Sequence, residues 1–217
     1  LTGEGVARGA VRARSLMPER MFPESPDRPG AVILARHGEP ALSRKVKLDS
    51  AGYRRWWAVY EESSLKPGQS APESLKAIAK GAAFIIASTR PRSIETAQAV
   101  AEDRAYAEDP LFIEAPLPPP RFPAWIKLSP RTWGVIARGW WWFFDHHEGQ
   151  ETRAEAEVRA REAAKMVADL ASSGNDVLVL AHGFFNGMVG EALKRSGWRC
   201  TKSGGFKYWA ARRFERA

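Results

Sequence analysis

The 217-residue chain carries 33 Lys and Arg against 25 Asp and Glu, a formal net charge of +8, and 44% of its residues are hydrophobic. That length suffices for one α/β domain with a real core, and the apolar share excludes a disordered chain. No run reaches the roughly 18–20 apolar residues of a membrane span, and Cys200 alone excludes an internal disulfide, which fits a reducing, cytoplasmic setting.

Residues 1–30 are rich in Arg, Pro and Glu and read as an irregular N-terminal arm or an appended segment, since Leu opens the chain while Met17 and Met21 lie inside it. Arg8, Arg12, Arg14 and Arg20 occur there without a continuous apolar stretch, so a secretory signal is not expected. Residues 31–217 read as a single domain. Its first strand is 31–36, and Arg36-His37-Gly38-Glu39 follows directly. Tyr53, Trp56, Trp57 and Tyr60 recur at helical spacing over 50–62, and Lys66 to Ser70 is a turn. A short helix over 72–80 puts Leu75, Ile78 and Ala79 on one side. Strand two is 82–87, a helix covers 93–103, and a short third strand is predicted at Leu111 to Glu114.

Proline is frequent from 115 to 123 and rules out regular structure there. The stretch 124–148 is a Trp-rich insertion, with a helix predicted over 130–145 that starts on Pro130. An Ala-rich amphipathic helix follows over 151–171, its buried stripe assigned to Val158, Ala163, Met166, Val167 and Leu170. Ser172 to Asp176 stops it. Strand four is 177–181, a helix runs over 187–195, and 206–214 reads as a last strand. Strands alternating with helices imply an α/β fold of α/β/α layers.

Two strand–His–Gly units stand out, Arg36-His37-Gly38 after Ala31–Ala35 and His182-Gly183 after Val177–Ala181. Open α/β sheets bind ligands at the carboxyl ends of their strands, so both imidazoles belong in one pocket. The end of strand two adds a third corner, Ser88-Thr89-Arg90-Pro91-Arg92, with two arginines. Residues 194–217 hold eight cations against Glu215 alone; such a face can steer anions, or simply decorate a solvated edge.

Together these corners resemble the histidine phosphatase superfamily, also called phosphoglycerate mutase-like. That family shows Arg-His-Gly after its first strand, Ser-x-x-x-Arg-x-x-x-Thr-Ala after its second and His-Gly after a late one. Here these are Arg36-His37-Gly38, Ser88 with Arg92 and Thr96-Ala97, and His182-Gly183. Gly149-Gln150-Glu151-Thr152 is similar to the Gly-Glu-Ser that opens the family's long helix. The resemblance covers 31 to about 214 and implies a three-layer α/β/α sandwich with a mostly parallel central sheet. It also selects Arg92 over Arg90, counting back from Thr96-Ala97, and leaves Arg90 as a supporting phosphate contact or a surface charge.

The chemistry of these residue types agrees. Arginine grips phosphoryl oxygens bidentately and keeps its charge, so Arg36 and Arg92 can clamp a phosphoryl group and stabilise its transition state. A neutral imidazole is a competent nucleophile near pH 7. His37 is the expected attacker, forming a phosphohistidine, and His182 a second donor to the phosphoryl oxygens. Gly38 and Gly183 are expected to contact the phosphate, and helix N-termini after the Arg36 and Arg92 corners to aim backbone N–H groups at the anion. The resemblance places the general acid in a Glu just after the third strand; Glu114 matches by position, and its apolar neighbours favour a protonated carboxyl. Glu39 is expected in a supporting hydrogen bond.

The resemblance thus implies a metal-independent, cofactor-free phosphomonoester hydrolase of histidine acid phosphatase type, acting on a phosphorylated small molecule or phosphoprotein. Its alternatives are a phosphoglycerate mutase-like phosphotransferase and a non-catalytic phosphate- or anion-binding domain. The segment Pro40 to Lys45 lacks the mutases' extended substrate-holding match, which favours hydrolysis. Asp145-His146-His147 spells a short signature of metal-dependent phosphoesterases, but it follows a Trp run and no Asp-x-Asp occurs, so no metal site is expected. No nucleic-acid motif is present. The Trp-rich segment can be core, lid or membrane-surface contact, and oligomeric state is not legible.

Overall fold

The computed structural model describes residues 11–12 and 29–217. The arm read over 1–30 lies outside the described residues, apart from Val11–Arg12, a two-residue strand β1, and the start of the domain. The other strands are β2 (Val32–Arg36), β3 (Phe84–Ala87), β4 (Ala107–Glu108), β5 (Val177–Ala181), β6 (Trp198–Ser203) and β7 (Ala211–Arg216). The helices are α1 (Ser50–Glu61), α2 (Glu73–Gly81), α3 (Pro91–Ala101), α4 (Pro130–Phe144), α5 (Arg153–Ala171) and α6 (Gly183–Arg195).

The strands form one sheet in the order β1-β4-β3-β5-β2-β7-β6. The first five are mutually parallel, β7 runs antiparallel to β2, and β6 antiparallel to β7. Successive residues of β2, β3 and β5 point to opposite faces, which splits the core in two. Val32, Leu34, Ile86, Val177 and Val179 pack against α4, α5 and α6. Ile33, Ala35, Ile85, Leu178 and Leu180 pack against α2 and α3. Helices on both faces complete an α/β/α sandwich, which explains why β2 and β5 read as unbroken apolar runs. Truncating Leu34 or Leu180, each wholly buried, costs about 2–5 kcal/mol in such a setting.

Register carries the sheet's consequence for the site. β2 and β5 pair from Val32↔Val177 to Arg36↔Ala181, and the His37 amide donates to the Ala181 carbonyl at 2.9 Å. Equal strand lengths thus bring the two His-Gly units to the same height on neighbouring strands.

Several expected elements differ. Leu111–Glu114 is not a strand: Pro110–Phe112 is a 3-10 turn, with Pro110 fixing its start and the Asp109 carboxylate accepting from the Leu111 amide at 2.8 Å. The strand lies upstream at β4. The last strand begins at Ala211 rather than 206, and it pairs with β6, a strand the pattern did not reveal. α6 begins at Gly183, four residues earlier than expected. Val158 is 45% exposed; of the expected stripe of α5, Ala163 and Val167 are buried and Met166 and Leu170 pack against the core, joined by Ala156, Ala160, Ala164 and Ala171. α5 starts on a capping box in which Thr152 and Glu155 satisfy each other's backbone amides.

Candidate active site

β2 ends in Arg36 and delivers His37, buried, to the carboxyl edge of the sheet. His37 Nδ1 lies 2.7 Å from the Gly38 carbonyl. A carbonyl only accepts, so Nδ1 carries the proton and the lone pair resides on Nε2. Arg92 Nε approaches that lone pair at 3.3 Å. Burial, reinforced by the Arg92 and Arg36 guanidinium groups, holds the His37 pKa well below its usual 6.5. The imidazole is therefore neutral near pH 7.

Arg92, in the first turn of α3, is wholly buried. Its guanidinium donates to the Tyr60 and Glu61 carbonyls, both at 2.9 Å, and to the Glu61 carboxylate at 2.8 Å. The C-terminus of α1 thus holds the cation, as a helix's exposed carbonyls favour. The same group reaches His182 Nδ1 at 3.3 Å. Because a guanidinium only donates, Nδ1 accepts, and His182 Nε2 gives its proton to Ser88 Oγ at 2.9 Å. Burial first, then Arg92 and His37, push the His182 pKa well below 6.5. The two rings stand 5.1 Å apart between centroids. In this arrangement His182 is an acceptor on the Arg92 side; the expected donor role requires a proton on Nδ1.

Arg36 donates to the Phe206 carbonyl at 2.7 Å and lies 4.2 Å over the Tyr208 ring. Gly183 sits against it: a methyl there would come within 3.3 Å of Arg36 Cδ and Nε. Gly38 has less room still, since a Cβ would fall 2.3 Å from the Trp209 ring. Its amide donates to Thr96 Oγ1 at 3.0 Å, so the N–H expected to face an anion is already committed.

Glu114 occupies the N-terminus of α6, where its carboxylate accepts from the Phe185 amide at 2.8 Å and the Phe184 amide at 3.4 Å. The apolar surroundings expected for it are thus replaced by two backbone donors, at a helix end complementary to an anion. Those two amides are not free for a substrate. In α3, Pro91 has no N–H, and Ser93 and Ile94 donate to the Arg90 carbonyl.

Arg36, His37, Arg92, Glu114, His182 and Gly183 line one cavity of about 670 Å³. Glu39 and Arg90 do not. Glu39 is exposed, its backbone clasped by Gln69. Arg90 is held at 2.9 Å by both Glu61 and Glu62. His146 and His147 sit in the turn beyond α4, His146 facing the Pro119 carbonyl and His147 accepting from the Gly149 amide.

Several lining residues were not anticipated. The aromatic spacing of α1 announces only a helix, yet all four rings of that stripe wall the cavity, Trp56 and Trp57 half-buried. Arg44 also lines it, donating to the Tyr60 hydroxyl at 2.6 Å. Tyr208 lies 5.7 Å from the His37 ring, its pKa pushed up to about 12, chiefly by burial. Glu61 could have been sought as the counter-charge a buried Arg92 needs. Of the Trp-rich segment, Trp133 and Trp141 are core, Trp142 lines the cavity, and Phe143 and Phe144 are exposed.

A sequence model of the histidine phosphatase superfamily (branch 1) matches residues 32–200. The chain belongs to the histidine phosphatase superfamily. Among solved structures it is similar to mycobacterial hydrolase 2, with TM-score 0.53 and 19% identity over 77% of this chain and 73% of that one. Mycobacterial hydrolase 1 gives TM-score 0.53 and 18% identity over 76% and 79% of the two chains. The mycobacterial glucosyl-3-phosphoglycerate phosphatase gives 0.50 and 19% over 77% and 81%. These likenesses show a shared fold. No curated protein matches the chain.

Proposed function

We propose that the protein hydrolyses phosphomonoesters through a phosphohistidine on His37, with arginines rather than a metal neutralising the phosphoryl charge. The observation that carries this reading is the neutral His37, its Nε2 lone pair facing Arg92 at 3.3 Å on the wall of a cavity that His182 shares.

In the first step His37 Nε2 attacks phosphorus. An N–P bond forms, the ester P–O bond breaks, and the leaving alkoxide takes a proton from the Glu114 carboxyl. In the second, the Glu114 carboxylate takes a proton from water. The water oxygen bonds to phosphorus, the N–P bond breaks, and inorganic phosphate leaves with His37 neutral again. Arg36 and Arg92 hold the phosphoryl oxygens throughout. The incoming dianion offsets the charge of Arg92, which favours proton uptake on His182 Nδ1 and turns that nitrogen into a donor. The cavity has the size of a small-molecule site, and residues 31–217 act as one domain with 124–148 as its variable insertion.

The test is turnover of an aryl phosphate without added metal, with rapid acid and base quenches. A base-stable, acid-labile phosphoryl adduct is expected in the wild type, and none in His37→Ala. Turnover retained by His37→Ala, or an adduct on another residue, overturns the mechanism.

A further inference from the structure

The outward side of α4 is unlike a surface helix in water. Its buried face is Pro130, Trp133, Gly134, Ala137 and Trp141. Its only charged residues are Arg131, in the first turn, and Arg138, whose guanidinium turns to the Gly134 carbonyl and lies 5.4 Å over the Phe184 ring. From Val135 onward the side facing solvent is therefore Val135, Ile136, Gly139, Trp140, Phe143 and Phe144. Val135 is 64% exposed, Phe143 78% and Phe144 69%. A solvated helix carries polar residues there; a contiguous exposed apolar surface marks an interaction site.

The surface continues into the preceding loop. Phe122 packs 5.5 Å from Trp140, which is itself 5.5 Å from Phe144. Trp125 follows, 80% exposed. Cations outnumber acids around these rings. Arg121, Lys127 and Arg131 are exposed. Of the nearby acids, Glu148 pairs with Arg54 and lies 3.9 Å from Arg121, and Asp145, which accepts from the Arg153 amide, is the one left without a cation partner among the described residues. Exposed Trp and Phe ringed by cations match the interface of an anionic bilayer, where aromatic rings sit at headgroup level and each basic residue adds attraction. A second copy of the chain fits less well, because a two-fold contact through this face would set the same cations against one another.

We infer that the exposed face of α4 and the loop before it dock on the surface of an anionic lipid bilayer. Arg131 and Val135 belong both to this face and to the cavity wall, so docking sets the cavity mouth beside the headgroups. Binding of this kind does not depend on turnover and is measured without it.

The experiment is co-sedimentation of the full chain with vesicles of phosphatidylserine in phosphatidylcholine, against phosphatidylcholine alone. The wild type is expected to partition onto the anionic vesicles and to be released by high salt. Each exposed cation removed lowers partitioning about fivefold, so Arg121→Ser with Lys127→Ser is expected to lower it about twenty-five-fold. Phe143→Ser with Phe144→Ser, at side chains exposed enough to leave folding intact by circular dichroism, is expected to abolish it. No binding to anionic vesicles overturns the inference. So does binding that survives Phe143→Ser with Phe144→Ser. A dimer seen by light scattering that this pair of substitutions dissolves assigns the face to self-association instead.

Discussion

The two neutral, buried imidazoles make folding stability a function of pH, with a sign and size that can be worked out. Both His37 and His182 have folded-state pKa values well below 6.5, from burial and from Arg92. Below 6.5 the unfolded chain binds protons that the folded one does not, so stability falls as pH drops from 6.5 toward the folded-state values and is fully present above that window. Going from about pH 7.5 to about pH 5.5, the two histidines together remove on the order of 2–3 kcal/mol, shared about equally between them. For a chain of this size that corresponds to a fall in Tm of about 5–11 °C. Urea unfolding followed by tryptophan fluorescence at the two pH values measures it. The double variant His37→Asn with His182→Asn keeps every other titrating group and is expected to lose this part of the pH dependence. Each single variant is expected to lose half. Equal pH dependence in wild type and double variant would refute the claim that these rings are held neutral.

Two further outcomes follow from neighbouring contacts. Gly38→Ala drives a methyl into the Trp209 ring, which displaces either the ring or the Gly38 carbonyl that fixes the His37 tautomer. A loss of kcat of at least about tenfold with little change in KM is expected, and unchanged steady-state kinetics would count against that role. Glu61→Gln removes the carboxylate beside a fully buried guanidinium while leaving its two carbonyl acceptors. Destabilisation of about 3 kcal/mol is expected by urea titration; a change below about 1 kcal/mol would show that the carbonyls alone suffice.

What the sequence disclosed followed from where its apolar runs stop. β5 and β2 up to Ala35 are short apolar runs buried on both faces, so their ends, and with them His37 and His182, were legible. Edge elements were not. β6 reads Trp-Arg-Cys-Thr-Lys-Ser, with only Trp198 buried, so no apolar alternation announces it. Leu111–Glu114 misled because an apolar run of three residues fits a 3-10 turn as well as a strand, and Asp109-Pro110 decides between them. The first turn of α6 was missed because His182 precedes it without any capping side-chain bond. Partnerships across the chain were invisible as well: the hold of Glu61 on Arg92 joins the end of α1 to α3, and no local pattern encodes it.

The placing of β7 has a consequence for how the protein is made. β2 lies inside the sheet only because β7 pairs along its free side, and the residues just before β7 supply the Phe206 carbonyl that takes Arg36 and the indole that covers Gly38. Until residues 204–216 have been made and paired, Val32–Arg36 presents an unpaired edge, the kind of surface on which nascent chains associate. The His37 imidazole therefore gains its finished surroundings only once these residues are in place, and a chain stopped short of residue 204 would lack them and be prone to clump.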